Sequence, residues 1–321
     1  MPLPGIGTNG IVPDMSIKRY RVFSEYLKEE YGGRVHKISV DAGFSCPNRA
    51  SNRAGAGCLF CDPGGSGAVG IDRALSVAEQ LEQGKEVMVR KYKAKRFIAY
   101  FQPFSNTFAP VPRLRALYDE ALAVSGIVGL AVGTRPDCLP DDVLDLLTEY
   151  HRRTDFWLEI GVQSRHDATL DFLRRGHDYA AFLKAYAGAK ARGLKVCVHV
   201  ILGLPGEDRA AMLATADEMA RLRVDGIKIH LLHVLKGTPL GGLYEEGKIP
   251  VLEQEEYVGL AVDFLERLHP ETFIHRLTGD GPRDLLLAPL WSLKKWEVLN
   301  AIDAELERRD TRQGAKSRWP G

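Results

Sequence analysis

Three cysteines constrain this chain more than any other feature. Cys46, Cys58 and Cys61 are spaced C-x11-C-x2-C within FSCPNRASNRAGAGCLFCDPGGSG, residues 44–67. Thiolate sulfur suits zinc and iron–sulfur clusters, and a loop so rich in Gly, Asn and Pro can wrap an object larger than one metal ion. The count narrows what that object is. A closed structural zinc site needs four ligands, whereas three cysteines on a four-iron cluster leave one iron open to a small molecule. Taken alone, the loop fits a [4Fe–4S] cluster or a zinc knuckle completed by a distant His.

At 321 residues the chain is long enough for one large α/β barrel or two ordinary domains. The net charge of +1 excludes a polybasic, purely electrostatic binder but leaves room for a local basic patch. Five cysteines, three of them clustered, do not make a secreted disulfide framework. The start, MPLPGIGTNGIVPDM, lacks the basic-then-apolar layout of a signal peptide. No run approaches the roughly 18–20 apolar residues of a membrane span. These features predict a cytoplasmic protein with no membrane association.

An amphipathic segment, IKRYRVFSEYLKEEYG, predicts a helix ended by Gly32 and Gly33. Six short apolar runs follow, at 35–40, 96–101, 126–132, 155–162, 194–203 and 225–232. Helical patterns lie between them near 73–93, 112–124, 140–150, 167–174, 179–192 and 207–222, with another at 253–268. Strands alternating with helices imply parallel βαβ units. The expected fold is therefore α/β, a partial (β/α)6 TIM-like barrel whose lateral gap is closed by the termini. An open doubly wound sheet is the alternative that periodicity does not separate. The expected divisions are residues 1–34, a segment and helix; 35–269, the barrel; and 270–321, a helical C-terminal extension. In that extension Leu293, Trp296, Leu299 and Ile302 form an apolar stripe expected to dock on the barrel, with a mobile basic end.

In parallel α/β folds ligands bind beyond the C-terminal ends of the strands, and the unusual residues fall there. Strand one runs into the cysteine loop. The next three lead to QPFSNT (102–107), GTRPD (133–137) and GVQS (161–164), with Glu159 inside the fourth. The fifth ends in GLPGE (203–207) and the sixth continues into HLLHVLKGTP (230–239).

The stretches TRPD (134–137), LEIGVQS (158–164), RRGHD (174–178) and LGLPGE (202–207) resemble the radical S-adenosylmethionine (SAM) core of the Elongator catalytic subunit. More loosely, they resemble the oxygen-independent coproporphyrinogen oxidases. The chain also resembles a group of small, stand-alone bacterial radical SAM proteins, the YhcC family. It shares with them the first Cys spacing, a YFQ…NT segment and an HLL…GTPL segment. The resemblance implies that Cys46, Cys58 and Cys61 ligate a [4Fe–4S] cluster whose open iron is chelated by SAM. It implies Arg175 on the SAM carboxylate, where a fixed guanidinium fork suits the bidentate task. Phe60, Thr134, Arg135, Glu159 and Gln163 would face the cofactor, His199 a ribose hydroxyl, and the Gly203–Leu204 turn the adenine. Two departures stand out. The usual glycine-rich, acidic signature after strand two is replaced by Gln102-Pro103-Phe104, so Gln102 is the candidate for the SAM amine; and Gly133 stands where the Elongator pattern has a glutamate.

The implied chemistry is reductive cleavage of SAM by an electron from a flavodoxin- or ferredoxin-type donor, followed by hydrogen abstraction from a substrate. Asp137, His230, His233 and Lys236 are the candidate substrate-side residues. The Elongator-like core points to a tRNA nucleoside, a wobble uridine, with the tail's Arg308, Arg309, Arg312, Lys316, Arg318 and Trp319 on phosphates. A small metabolite such as a tetrapyrrole precursor, or a zinc-stabilised nucleic-acid-binding protein, are the competing readings. Cys197 reads as a small core residue, and Cys138, beside TRPD, as either buried or reactive.

Overall fold

The computed structural model describes residues 18–50, 57–62, 64–65, 71–279 and 281–319. The Gly/Pro-rich start and part of the cysteine loop lie outside the described residues. In chain order the elements are α1 (Phe23–Tyr31), β1 (Val35–Val40), α2 (Pro47–Ala50), α3 (Val77–Tyr92), β2 (Arg96–Phe101), α4 (Val111–Ala123) and β3 (Ile127–Thr134). Next come α5 (Asp141–Arg153), β4 (Asp155–Gln163), α6 (Asp167–Phe172), α7 (Tyr179–Ala191), β5 (Lys195–Leu202), α8 (Arg209–Arg221) and β6 (Gly226–Leu231). The last are β7 (Val234–Leu235), α9 (Pro239–Glu245), α10 (Gln254–Arg267), β8 (Phe273–Arg276), β9 (Leu286–Ala288) and α11 (Lys295–Arg308).

Strand order settles the fold. The large sheet runs β1-β2-β3-β4-β5-β6-β8, with every pair parallel. Each strand lies beside its predecessor, as in a barrel, whereas a doubly wound sheet reverses direction at a switch point. The sheet is thus a half-barrel of seven strands. The seventh, β8, comes from the segment expected to be an extension; at four residues it is too short to register as a periodic run.

The gap between β1 and β8 is covered by the N-terminal segment. Val22 bridges Ile274, and the Ile274 N–H donates to the Arg21 carbonyl at 2.7 Å. Helix α1 therefore begins at Phe23, not at residue 17, because the preceding residues extend along β8. Gly32 ends it in the left-handed region (φ +63°). Phe23 stacks on His275 and meets Trp157 edge-on, joining Leu27, Ile98, Ala131 and Cys197 in a plug that fills the lower barrel. The larger core lies outside the sheet, under the helices, where Leu130, Val132, Phe156, Leu158, Val196 and Val198 point.

Of two expectations for the C-terminus, one holds in part and one fails. Ile302 of the expected stripe is buried and Leu299 packs against the core, but the buried face of α11 is Val298, Ile302 and Leu306, at i/i+4 spacing, and Trp296 is 74% exposed. As far as Lys316 the basic end is tied to the barrel rather than loose. Gln313 donates through Nε2 to the carbonyls of His269 (2.9 Å) and Thr272 (2.8 Å), and its Oε1 accepts from the Arg21 N–H. Arg309 pairs with Asp263 and Glu305, and Lys316 with Glu266. The loop holding His269 and Thr272 leads into β8, so the tail docks at the end of the barrel opposite the cysteine loop. Among the described residues no helix is long and apolar enough to cross a membrane.

Candidate functional site

Residues that alternate along the strands point either under the helices or into the barrel. The inward set becomes polar toward the C-terminal ends: Ser39 on β1, Tyr100 on β2, Glu159 and Gly161 on β4, His199 on β5, Lys228 and His230 on β6. Together with the loops beyond the strands they line one cavity of about 560 Å³. Cys46, Cys58, Phe60 and Cys61 line it too, as do Gln102, Thr134, Arg135, Gln163, Arg175, His233 and Arg276.

The cysteine segment is tied to the turn after α6. The Leu59 N–H donates to the Leu173 carbonyl at 3.1 Å, and Asn48 Nδ2 donates to the carbonyls of Arg174 (2.7 Å) and Arg175 (3.1 Å). Gly176, at φ +71°, is required there, since a Cβ would stand 2.4 Å from Asn48 Oδ1. This docking brings Arg175 Nη1 to 3.3 Å and Asn48 Nδ2 to 3.4 Å from Cys58 Sγ, while Arg49 Nη2 lies 3.6 Å from Cys61 Sγ. Arg175 Nη2 also donates to the Gly161 carbonyl at 2.7 Å. Its Nε, and Nη1 of Arg135, are buried with no hydrogen-bond partner. Such donors are costly to leave unmet, and an anionic group between them would satisfy both. Gln163 enters the cavity through a bulge after Gly161, at φ +72°. Bulges and left-handed non-glycine residues recur where a side chain must be re-aimed.

Below the thiols lies a charged layer. Glu159, fully buried, accepts from Lys37 Nζ on Oε1 at 2.7 Å and from His199 Nε2 (2.8 Å) and Lys228 Nζ on Oε2. Lys228 also donates to the Tyr100 hydroxyl at 2.9 Å. Despite burial, these partners hold the Glu159 carboxyl well below its usual range. Burial, and then Lys228, lowers His199 to about 4, and burial lowers Lys228 to about 8 against the opposing pull of Glu159.

The family model of the Radical SAM superfamily matches residues 46–219, and that of the Radical_SAM C-terminal domain matches 224–308. The chain belongs to the radical SAM superfamily. It is 46% identical to YtqA of Bacillus subtilis (strain 168), over 92% of both chains. It is 41% identical to protein YhcC of Escherichia coli (strain K12), over 94% of this chain and 96% of that one. Among solved structures, the archaeal Elp3 of Methanocaldococcus infernus superposes with a TM-score of 0.64 at 17% identity, covering 87% of this chain and 64% of that one.

Radical SAM proteins bind a [4Fe–4S] cluster and SAM, and the donor set here suits that pair: three thiols on one cavity, with guanidinium and amide donors on the sulfurs. Among the described residues no three Cys, His, Asp or Glu side chains converge on a single-ion position.

Other expected site residues fall elsewhere. Asp137 is outside the cavity lining and takes a bidentate pair from Arg135, at 2.9 and 2.7 Å. Lys236 is exposed, outside the cavity lining. Leu204 packs with Leu59, Leu173 and Leu232, and Gly203 abuts Leu252, so this turn braces the cysteine loop from behind rather than lining the cavity. Glu159 lines the cavity, but its oxygens are occupied by two lysines and a histidine. Cys138 is buried and its thiol is pushed up to about 12 by burial and Asp137, which rules against a reactive thiolate. Sequence reasoning missed Lys37, Tyr100, Lys228 and Arg276. The available signal was an ionisable residue at an inward position of an apolar strand, as in VHKISV and GIKIHL.

Proposed function

We propose that this radical SAM protein abstracts hydrogen from a tRNA nucleoside, a wobble uridine, presented at the mouth of the barrel. The observation that carries the catalytic reading is the meeting of three thiols with Arg135 and Arg175, two guanidiniums that each bury an orphaned N–H. Cys46, Cys58 and Cys61 would hold the cluster. Asn48, Arg49 and Arg175 would stabilise negative charge on its sulfurs, an outer-shell task that tunes a metal site. Arg175 and Arg135 would supply donors to the SAM carboxylate, and Gln102 and Gln163 would serve its polar end. When bound and reduced, the pair supplies reductive cleavage of SAM and hydrogen abstraction from the substrate. The barrel's contribution is orientation and exclusion of water. A flavodoxin- or ferredoxin-type donor is the partner that this chemistry requires.

The nucleoside reading is supported by the likeness to the Elongator core and by two aromatic rings on the cavity, Phe60 and Phe104. Phe104, at φ +63°, is flanked by Arg49 at 5.2 Å and Arg73 at 5.0 Å. Aromatic and guanidinium faces are the surfaces on which unpaired bases stack. The basic tail lends no support, because much of its charge is paired at the far end of the barrel.

Two measurements test the proposal. Anaerobically purified protein should hold about four irons, and Ala at Cys46, Cys58 or Cys61 should remove the iron and the cleavage of SAM; full iron in each variant would refute the ligand set. Nucleoside mass spectrometry of total tRNA should then show one modified uridine missing when the gene is deleted. An unchanged profile would refute the substrate while leaving the cofactor chemistry standing.

A further inference from the structure

One side chain clamps the turn after α6 to the cysteine segment. Asn48, in α2, directs Nδ2 at the carbonyls of Arg174 (2.7 Å) and Arg175 (3.1 Å) and lies 3.4 Å from Cys58 Sγ. The turn it grips has an unusual backbone. Arg174 (φ +54°) and Gly176 (φ +71°) are both left-handed, and a residue with a Cβ keeps that conformation only where its surroundings over-determine it. Between them Arg175 is buried, with its side chain turned back onto the cysteine segment. Its Nη1 stands 3.3 Å from Cys58 Sγ and its Nη2 donates to the Gly161 carbonyl at 2.7 Å, while its Nε is buried with no hydrogen-bond partner. One guanidinium therefore spans the thiols and the place where the SAM carboxylate would lie.

Hydrogen bonds to the sulfurs help to set the reduction potential of an iron–sulfur cluster, because a donor stabilises the more negative, reduced form. A guanidinium acts more strongly than an amide, since its charge is fixed. The backbone tie between Leu59 and Leu173 anchors the loop beside Cys58 but does not aim Arg175. Asn48 does, because the two carbonyls it grips flank the Arg175 Cα. We propose that Asn48 is a positioning residue: it holds the Arg175 guanidinium on Cys58 and so links the reduction potential of the cluster to the affinity for SAM. The proposal rests on the radical SAM reading of the cavity and deepens it. A carboxylate paired with Arg175 would offset the charge that the guanidinium presents to the sulfur, and linkage makes the effect reciprocal.

The test uses anaerobic, cluster-loaded protein and two readouts: the midpoint potential, followed by electron paramagnetic resonance, and SAM affinity by equilibrium dialysis. Asn48→Ala should keep its iron. At a fixed potential its ratio of reduced to oxidised cluster should fall about tenfold, equivalent to about 59 mV for a one-electron couple. Its SAM affinity should fall about tenfold as well. Because Asn48 acts through Arg175, the double variant Asn48→Ala/Arg175→Ala should bind SAM no more weakly than Arg175→Ala alone. Gly176→Ala, whose Cβ would meet Asn48 Oδ1 at 2.4 Å, should reproduce both shifts with the amide still present. It takes the place of Asn48→Ala if that variant holds no iron. Arg115→Gln, whose guanidinium pairs with Glu149 on the outer helices, should change neither readout. Unchanged potential and affinity in Asn48→Ala would overturn the proposal. So would a shift in one readout without the other, additive losses in the double variant, or loss of iron in both Asn48→Ala and Gly176→Ala, which would leave the clamp a role in cluster assembly alone. A wild type that binds no iron, or holds iron without binding SAM, would refute the underlying enzyme reading instead.

Discussion

Replacing Glu159 by Gln removes one buried charge and leaves two lysines without their shared partner. The substitution keeps the shape, so little of its effect comes from packing. Breaking a buried ion pair by removing one member costs about 3–5 kcal/mol. For a chain of this length that corresponds to a fall in Tm of roughly 6–10 °C. The pH dependence carries the sharper signature. In wild type the folded-state Lys228 titrates near 8 and the unfolded one near 10.5. Between those values the unfolded state holds more protons, and stability rises with pH. Without the carboxylate, Lys228 gives up its proton at lower pH, so the gap between wild type and variant should narrow as pH rises toward 8 and stay constant above it, where the folded Lys228 is neutral in both. On the acid side, His199, at about 4 when folded, makes stability fall as pH drops from 6.5 toward 4, and Glu159 adds to the loss as its carboxyl is protonated. Anaerobic scanning calorimetry of cluster-loaded protein across this range measures both. A Glu159→Gln variant within about 1 kcal/mol of wild type at pH 7, or a gap indifferent to pH, would refute the account of the charged layer.

Arg175→Ala should weaken SAM binding by about 1.5–3 kcal/mol, the usual worth of a hydrogen bond to a charged group, as read by equilibrium dialysis; unchanged affinity would remove Arg175 from the cofactor site. Gln313→Ala should destabilise the fold by about 1–3 kcal/mol, because it strips buried carbonyls at His269 and Thr272 of their donor. Iron content should be unaffected, and full stability in thermal unfolding would mean that the tail is merely laid on the surface.

How much was legible in advance follows from how local each feature is. The three thiols, the six apolar runs and the polar residues beyond them are written in short windows. Hence the cluster loop, six of the strands and a cavity at their C-terminal ends were readable from the residues. Cys46, Cys58, Cys61, Gln163 and Arg175, named from motifs more than a hundred residues apart, do line one cavity. What remained undecided depends on who stands next to whom. Periodicity is the same for a barrel and a doubly wound sheet; only the pairing of each strand with its predecessor, and the closure of the seam by Val22, Phe23 and Ile274, selects the half-barrel. Trp296 has the composition of a docking residue, yet α11 turns Val298, Ile302 and Leu306 inward. Asp137 reads as a substrate contact in its motif, and only the structure shows its carboxylate held by Arg135. Glu159 looked like a cofactor ligand because an unpaired buried glutamate is so costly. The same cost is met by Lys37, Lys228 and His199, drawn from three different strands and brought to one point by the curvature of the sheet. The sequence alone determined the chemistry the loop can carry, because thiolate count and spacing are properties of a segment. The tertiary structure alone decided where the remaining charges go, because a buried charge is defined by its neighbours.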